Sequence, residues 1–225
     1  NHIFNLMGKP ATEILATKSL LALNKKETFS MLSEIFSAFE TKIKSKKLII
    51  KLLHHFIHEK VLRLIFTAMD SSHLSLIDEA SNALIKVSKN QNLSDNHLNK
   101  IEKLVLQLAQ RAFQLHLFKS TIINDQYSML IKDHVEYDLS VLVPVLLKLG
   151  TLKEPEIPIE KYIHYVKSND KELLPLVLEL VESTFTSNTK KFILPLIDPD
   201  IKPSKVAIGL FNTKFLPKDD FLLLW

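Results

Sequence analysis

The stretch KLIIKLLHHFIHEKVLRLIFTAMDSSHLSLIDEASNALIKV, Lys47–Val87, carries three apolar runs of helical period in succession. Leu48, Leu52 and Phe56 recur at i, i+4 beside Ile49, Leu53 and Ile57, and the pattern breaks around His58-Glu59-Lys60. It resumes over Glu59–Met69 with Val61, Leu62, Ile65 and Met69. Residues recurring at three and four share one side of a helix, so each run predicts a helix with one face to bury. Asp70-Ser71-Ser72 then predicts a turn, with side-chain oxygens able to cap the next helix start. That helix is expected to reach Val87, burying Leu76, Ile77, Ala80, Ala83, Leu84 and Val87.

The same grammar holds on both sides. Over 26–43, Phe29, Leu32, Phe36, Phe39 and Ile43 form one apolar stripe. Lys89–Asn96 reads as a polar loop ending in a cap, after which Leu98, Ile101, Val105, Leu108, Ala112 and Leu115 mark a helix of about 20 residues. A second long helix is expected over 125–149, kinked or divided at Pro144, which lacks a backbone donor, with Gly150 as its C-cap. Thr151–Pro158 is a connector, and shorter helices follow over 158–167, 170–184, 188–197 and 203–212.

Composition agrees. The 225 residues are 46% hydrophobic and 24% charged, with three isolated glycines and no cysteine. Asn-Gly and Asp-Gly hairpin turns are missing, as are glycine-rich phosphate loops and thiolate chemistry. The expected class is all-α. Helix pairs begin near residues 27, 59, 97, 157 and 188, spacings of 32, 38, 60 and 31, which predicts one domain over 1–225 built as an α-solenoid of stacked antiparallel pairs. Its long central helices lie over 97–149. The longest uncharged apolar stretch, Leu139–Leu147, is half of the roughly 20 residues that span a bilayer. The apolar ending Phe221-Leu222-Leu223-Leu224-Trp225 leads to the expectation that the chain is part of a longer protein.

Lys47–Val87 resembles a HEAT repeat: a helix, a turn, then Asp70 and a second helix. Leu76 stands at the Val position that commonly opens the second HEAT helix, and Ile77 where Arg is usual. A narrower likeness lies in Ser168-Asn169-Asp170, Leu176-Val177-Leu178-Glu179-Leu180-Val181-Glu182 and Lys191-Phe192-Ile193-Leu194-Pro195-Leu196-Ile197-Asp198. This run resembles the HEAT-repeat regions attached to bacterial ADP/ATP-translocase-like nucleotide transporters, with Val177, Val181 and Glu182 departing from their Ala, Leu and Asp. The resemblance implies a soluble helical appendage on the cytoplasmic side, without transport residues. It also implies that Leu178, Glu179, Pro195, Leu196 and Asp198 maintain the repeat interface and the turn after it.

The expected function is non-enzymatic protein–protein interaction or regulatory scaffolding, without cofactor or metal. Lys42, Lys44, Lys46, Lys47 and Lys51 are the densest charge run and the candidate partner-binding patch. Residues 1–112 hold sixteen basic against ten acidic side chains, a net of +6, whereas 113–225 hold thirteen against fifteen, a net of −2. Such polarity steers an acidic partner. Twenty-seven of the 29 basic residues are lysine, and Arg supplies the bidentate contacts of nucleic-acid sites, so a protein partner is expected over DNA or RNA. The alternative is a HEAT-fold DNA-binding or alkylbase-glycosylase-like repair protein, for which the chain offers one Trp, Arg63 and Arg111. His54 and His58 have the i, i+4 spacing of metal ligands, but Lys47 and Lys51 on the same face would repel a cation. His116 and His164 interrupt apolar neighbourhoods and are expected to be partly buried structural histidines. A small-molecule pocket near Pro144 is a further expectation, located by the sequence but without chemistry.

Overall fold

The computed structural model describes residues 10–211, except 39, 57–58, 123–127, 155, 169 and 171. The described residues form eleven α-helices and one 3-10 turn, with no strand. The chain divides into two compact units, Asn1–Asn92 and Leu93–Trp225.

The first unit contains α1 (Pro10–Leu21), α2 (Lys25–Ser37), α3 (Ile43–Leu52), a 3-10 turn (Leu53–His55), α4 (Glu59–Met69) and α5 (Leu74–Ser88). Asn24 starts α2 by accepting from Lys26 N at 3.0 Å and Glu27 N at 3.4 Å, satisfying amide groups that a helix start leaves unpaired. Phe29, Leu32 and Phe36 are buried, as the stripe predicts. The helix does not reach residue 43, however. Ala38 turns extended, and the Thr41 hydroxyl donates to the Ile35 carbonyl, occupying an acceptor of the final turn. Ile43 instead opens α3, while Phe39 lies outside the described residues.

In α3 and the 3-10 turn, Ile49, Ile50 and Leu53 are fully buried. α5 packs against both α3 and α4, and Ile65, Met69, Ile77, Ala80 and Leu84 close that core. The cap of α5 falls one residue later than the serines predict. His73 occupies it without a side-chain bond, and Ser71 Oγ accepts from His73 N at 3.1 Å, closing the turn rather than capping the helix. α1 has no counterpart in the sequence reading. It buries Ala16 and Leu20 but leaves Ile14 and Leu15 69% and 71% exposed, so its apolar residues trace no single stripe.

The second unit contains α6 (Asp95–Thr121), α7 (Ser128–Gly150), α8 (Ile159–Ser168), α9 (Leu174–Thr184), α10 (Ser187–Ile197) and α11 (Pro203–Phe211). Ser94 caps α6, accepting from His97 N at 3.4 Å, where the polar loop predicted a cap. α6 runs 27 residues, about 40 Å at 1.5 Å per residue and longer than its apolar stripe foretold. Ile101, Val105, Leu108 and Ala112 are buried, with Leu98 and Leu115 half-buried. α7 packs along α6, tied by Arg111–Asp138 at 3.5 Å and Lys119–Glu136 at 2.9 Å. Pro144 does not divide α7, which runs on to Gly150. Leu139, Leu142, Val143, Val145, Leu146, Leu147 and Leu149 are all buried around it, and this packing offsets the one missing backbone bond. α6 also packs against α10 and α11, and α10 against α7 and α9.

Candidate partner-binding face and cleft

The lysines of the candidate patch lie on or beside α3, and the helix separates them. With about 3.6 residues per turn, Lys44, Lys47 and Lys51 stand at i, i+3 and i+7 and share one face. Lys42 is exposed at the N-cap. Lys46 is half-buried, its Nζ 5.6 Å from the centroid of the Phe36 ring, a cation–π approach that holds it away from the others. Lys51 forms an ion pair with Glu13 of α1. Among the described residues, no carboxylate lies within ion-pair distance of Lys42, Lys44 or Lys47.

The fold enlarges this face with residues distant in sequence. Lys86 of α5 and Lys25 of α2 act electrostatically on the imidazoles that follow α3. His54 and His55 stand with ring centroids 3.9 Å apart, and His54 Nδ1 is 2.9 Å from the Lys51 carbonyl oxygen. Burial, then His55 and Lys86, pull His54 from the ordinary 6.5 to about 4. His55 is lowered by burial and by Lys86 and Lys25, so both rings are neutral near pH 7. Burial raises the pKa of Glu79 on α5, while Lys47 and Lys51 oppose the rise. The metal geometry sketched for His54 and His58 requires a continuous helix. α3 ends at Leu52, His54 sits in the 3-10 turn, and His58 lies outside the described residues. No group of three metal-ligating side chains occurs among the described residues.

In the second unit, a cleft of about 520 Å³, counting its open mouth, lies between the first half of α6, the end of α7 and the α9–α10 junction. Leu98, Ile101, Leu149 and Leu152 supply an apolar wall, and Glu102, Thr184, Thr186 and Thr189 supply oxygens. Pro144, where the sequence places a pocket, is buried and does not line this cleft, which lies at the helix end with Leu149 and Gly150. Thr186 organises the polar side. Its Oγ1 caps α10 by accepting from Thr189 N at 3.4 Å and donates to Glu102 Oε1 at 3.4 Å. Glu102 therefore places negative charge at a helix N-terminus, where the macrodipole favours it.

The two isolated histidines differ. His116 is half-buried on α6, and burial, reinforced by Lys119, lowers it to about 4. His164 is exposed, contrary to expectation, because its position on α8 turns away from the buried Ile159 and Ile163. Of the residues the transporter likeness singles out, Pro195 is buried, Leu178, Leu196 and Asp198 are half-buried, and Glu179 is exposed. Asp198 Oδ1 accepts from Asp200 N at 2.9 Å in the turn after α10.

No family model, no curated protein and no solved structure matches this chain. No helix among the described residues is long and apolar enough to cross a membrane.

Proposed function

We propose that the chain is a non-enzymatic interaction module that binds an acidic protein segment on the basic face of α3, with the helix pairs of each unit stacked as HEAT-like repeats. The observation that carries the binding role is the meeting of Lys44, Lys47 and Lys51 on one helix face with Lys86 and Lys25 beside it. Charge is distributed accordingly. Residues 1–92 hold thirteen basic against eight acidic side chains, and 93–225 hold sixteen against seventeen. A lysine face acts as a set of hydrated point charges, suited to steering a flexible carboxylate-rich segment rather than to the planar, bidentate grip that arginine gives on bases or phosphates. The antiparallel pairing of α6 with α7, and the packing of α10 and α11 onto α6, support the repeat reading in the second unit. The likeness to transporter-attached HEAT regions extends the proposal to a cytoplasmic appendage of a larger bacterial protein.

Fluorescence anisotropy with labelled octaglutamate and with a 12-base-pair duplex tests the class of partner. At about 50 mM salt octaglutamate is expected to bind, and its affinity to fall several-fold by about 150 mM as screening shortens the reach of the lysines. Failure of the peptide to bind at the lower salt overturns the proposal. Duplex binding more than tenfold tighter, with a steep salt slope, would replace it with the nucleic-acid reading.

A further inference from the structure

The cleft of the second unit has a polarity opposite to that of the α3 face. Glu102 is its acidic side chain, half-buried, and shares the lining with Thr184. One carboxylate oxygen accepts from Thr186, and the other has no hydrogen bond among the described residues. Two helices, α7 and α9, end at the cleft, at Gly150 and Thr184, and place the negative ends of their dipoles there. The N-terminus of α10, which also opens on it, is already engaged by the Thr186 hydroxyl. Beneath these acceptors the wall is aliphatic, formed by Leu98, Ile101, Leu149 and Leu152. Lys153 borders the cleft as an exposed cation and opposes a positive ligand.

We infer that this cleft binds a primary ammonium group carried on an aliphatic stem, the stem lying along the leucines and the ammonium reaching the free oxygen of Glu102 and the Thr184 hydroxyl. A lysine side chain of a partner and a free alkylamine share this chemistry. A charged donor suits the site because an ionised carboxylate forms its strongest hydrogen bonds with cations. The apolar wall excludes water from the stem in the manner of a long cationic side chain buried to its tip.

The test is a nuclear magnetic resonance titration of the full chain with N-acetyl-lysine methylamide, n-butylamine and N-acetyl-norleucine methylamide, following the backbone amides of Gly150, Thr186 and Thr189. The two amines are expected to shift these signals, and the uncharged norleucine analogue to bind at least tenfold more weakly. Glu102→Gln retains an acceptor for Thr186 and is expected to weaken amine binding at least tenfold while leaving the circular dichroism spectrum unchanged. Lys153→Gln should bind amines at least as tightly as the wild type. A lysine derivative binding tenfold tighter than butylamine assigns the site to a polypeptide side chain, and equal binding assigns it to free amines. The inference is overturned if neither amine shifts the signals at 50 mM, if norleucine binds as well as lysine, or if Glu102→Gln has no effect.

Discussion

Gly150→Ala is expected to lower the stability of the second unit by about 2–3 kcal/mol, the upper part of the range for overpacking a well-filled site. A Cβ added at Gly150 would stand far closer than van der Waals contact distance to three ring carbons of Phe185, and that ring is itself buried at the end of α9. Gly150 read from the sequence as a C-cap, and it is instead the last residue of the helix. Its backbone is not left-handed, and the next amide, Thr151 N, still bonds the Leu147 carbonyl at 3.2 Å in helical fashion. Glycine is needed here because an aromatic ring occupies the place of its side chain. Urea unfolding followed by circular dichroism checks the loss. In the double variant Gly150→Ala/Phe185→Leu, more than half of it should be recovered, since removing the ring's far carbons relieves the clash. Strictly additive losses would show that the ring is not the cause.

At pH 5 the wild-type protein should be less stable than at pH 7 by on the order of 2 kcal/mol through His116 alone. The folded state holds this imidazole at about 4 by burial, whereas in the unfolded chain it titrates near the ordinary 6.5. Between those values the unfolded state binds the proton and the folded state does not. Stability therefore falls as pH drops from about 6.5 toward 4 and levels off below. His54 acts in the same direction in the first unit, while Glu79, whose pKa is raised, acts in the other. Urea midpoints at pH 7 and pH 5 for the wild type and His116→Leu measure the effect. The variant should lose less on acidification, keeping the share due to His54, and an equal loss in both proteins would assign the acid sensitivity elsewhere.

How much of this was legible from residues alone depends on where each signal lies. Glu59–Met69 emerged with the predicted boundaries because Val61, Leu62, Ile65 and Met69 repeat at helical spacing between polar breaks. α1 was invisible because Ile14 and Leu15 point outward while Ala16 and Leu20 point inward, so apolar residues surround the helix instead of striping it. α6 outran its prediction because its last turns are held by Lys119 on Glu136 of α7, a tertiary contact no local pattern contains. The lysines of α3 were visible as a run, and their separation into a face and a Phe36-bound Lys46 follows from helix angle and packing. Lys86 and Lys25 joined that face only through folding. The cleft was least legible of all. Glu102, Leu149 and Thr186 come from three separate stretches, and nothing in any one of them marks a shared wall.

The association rate of octaglutamate with the triple variant Lys42→Glu/Lys44→Glu/Lys47→Glu probes the α3 face itself, because these three side chains carry charge without an ion pair to a described residue. A control variant reverses the exposed Lys103, Lys167 and Lys205 of the second unit, matching the change in net charge. At about 50 mM salt the α3 variant should associate at least tenfold more slowly than the wild type, and the control within about twofold of it. Equal slowing in both variants, or no slowing in the first, would contradict a binding face on α3.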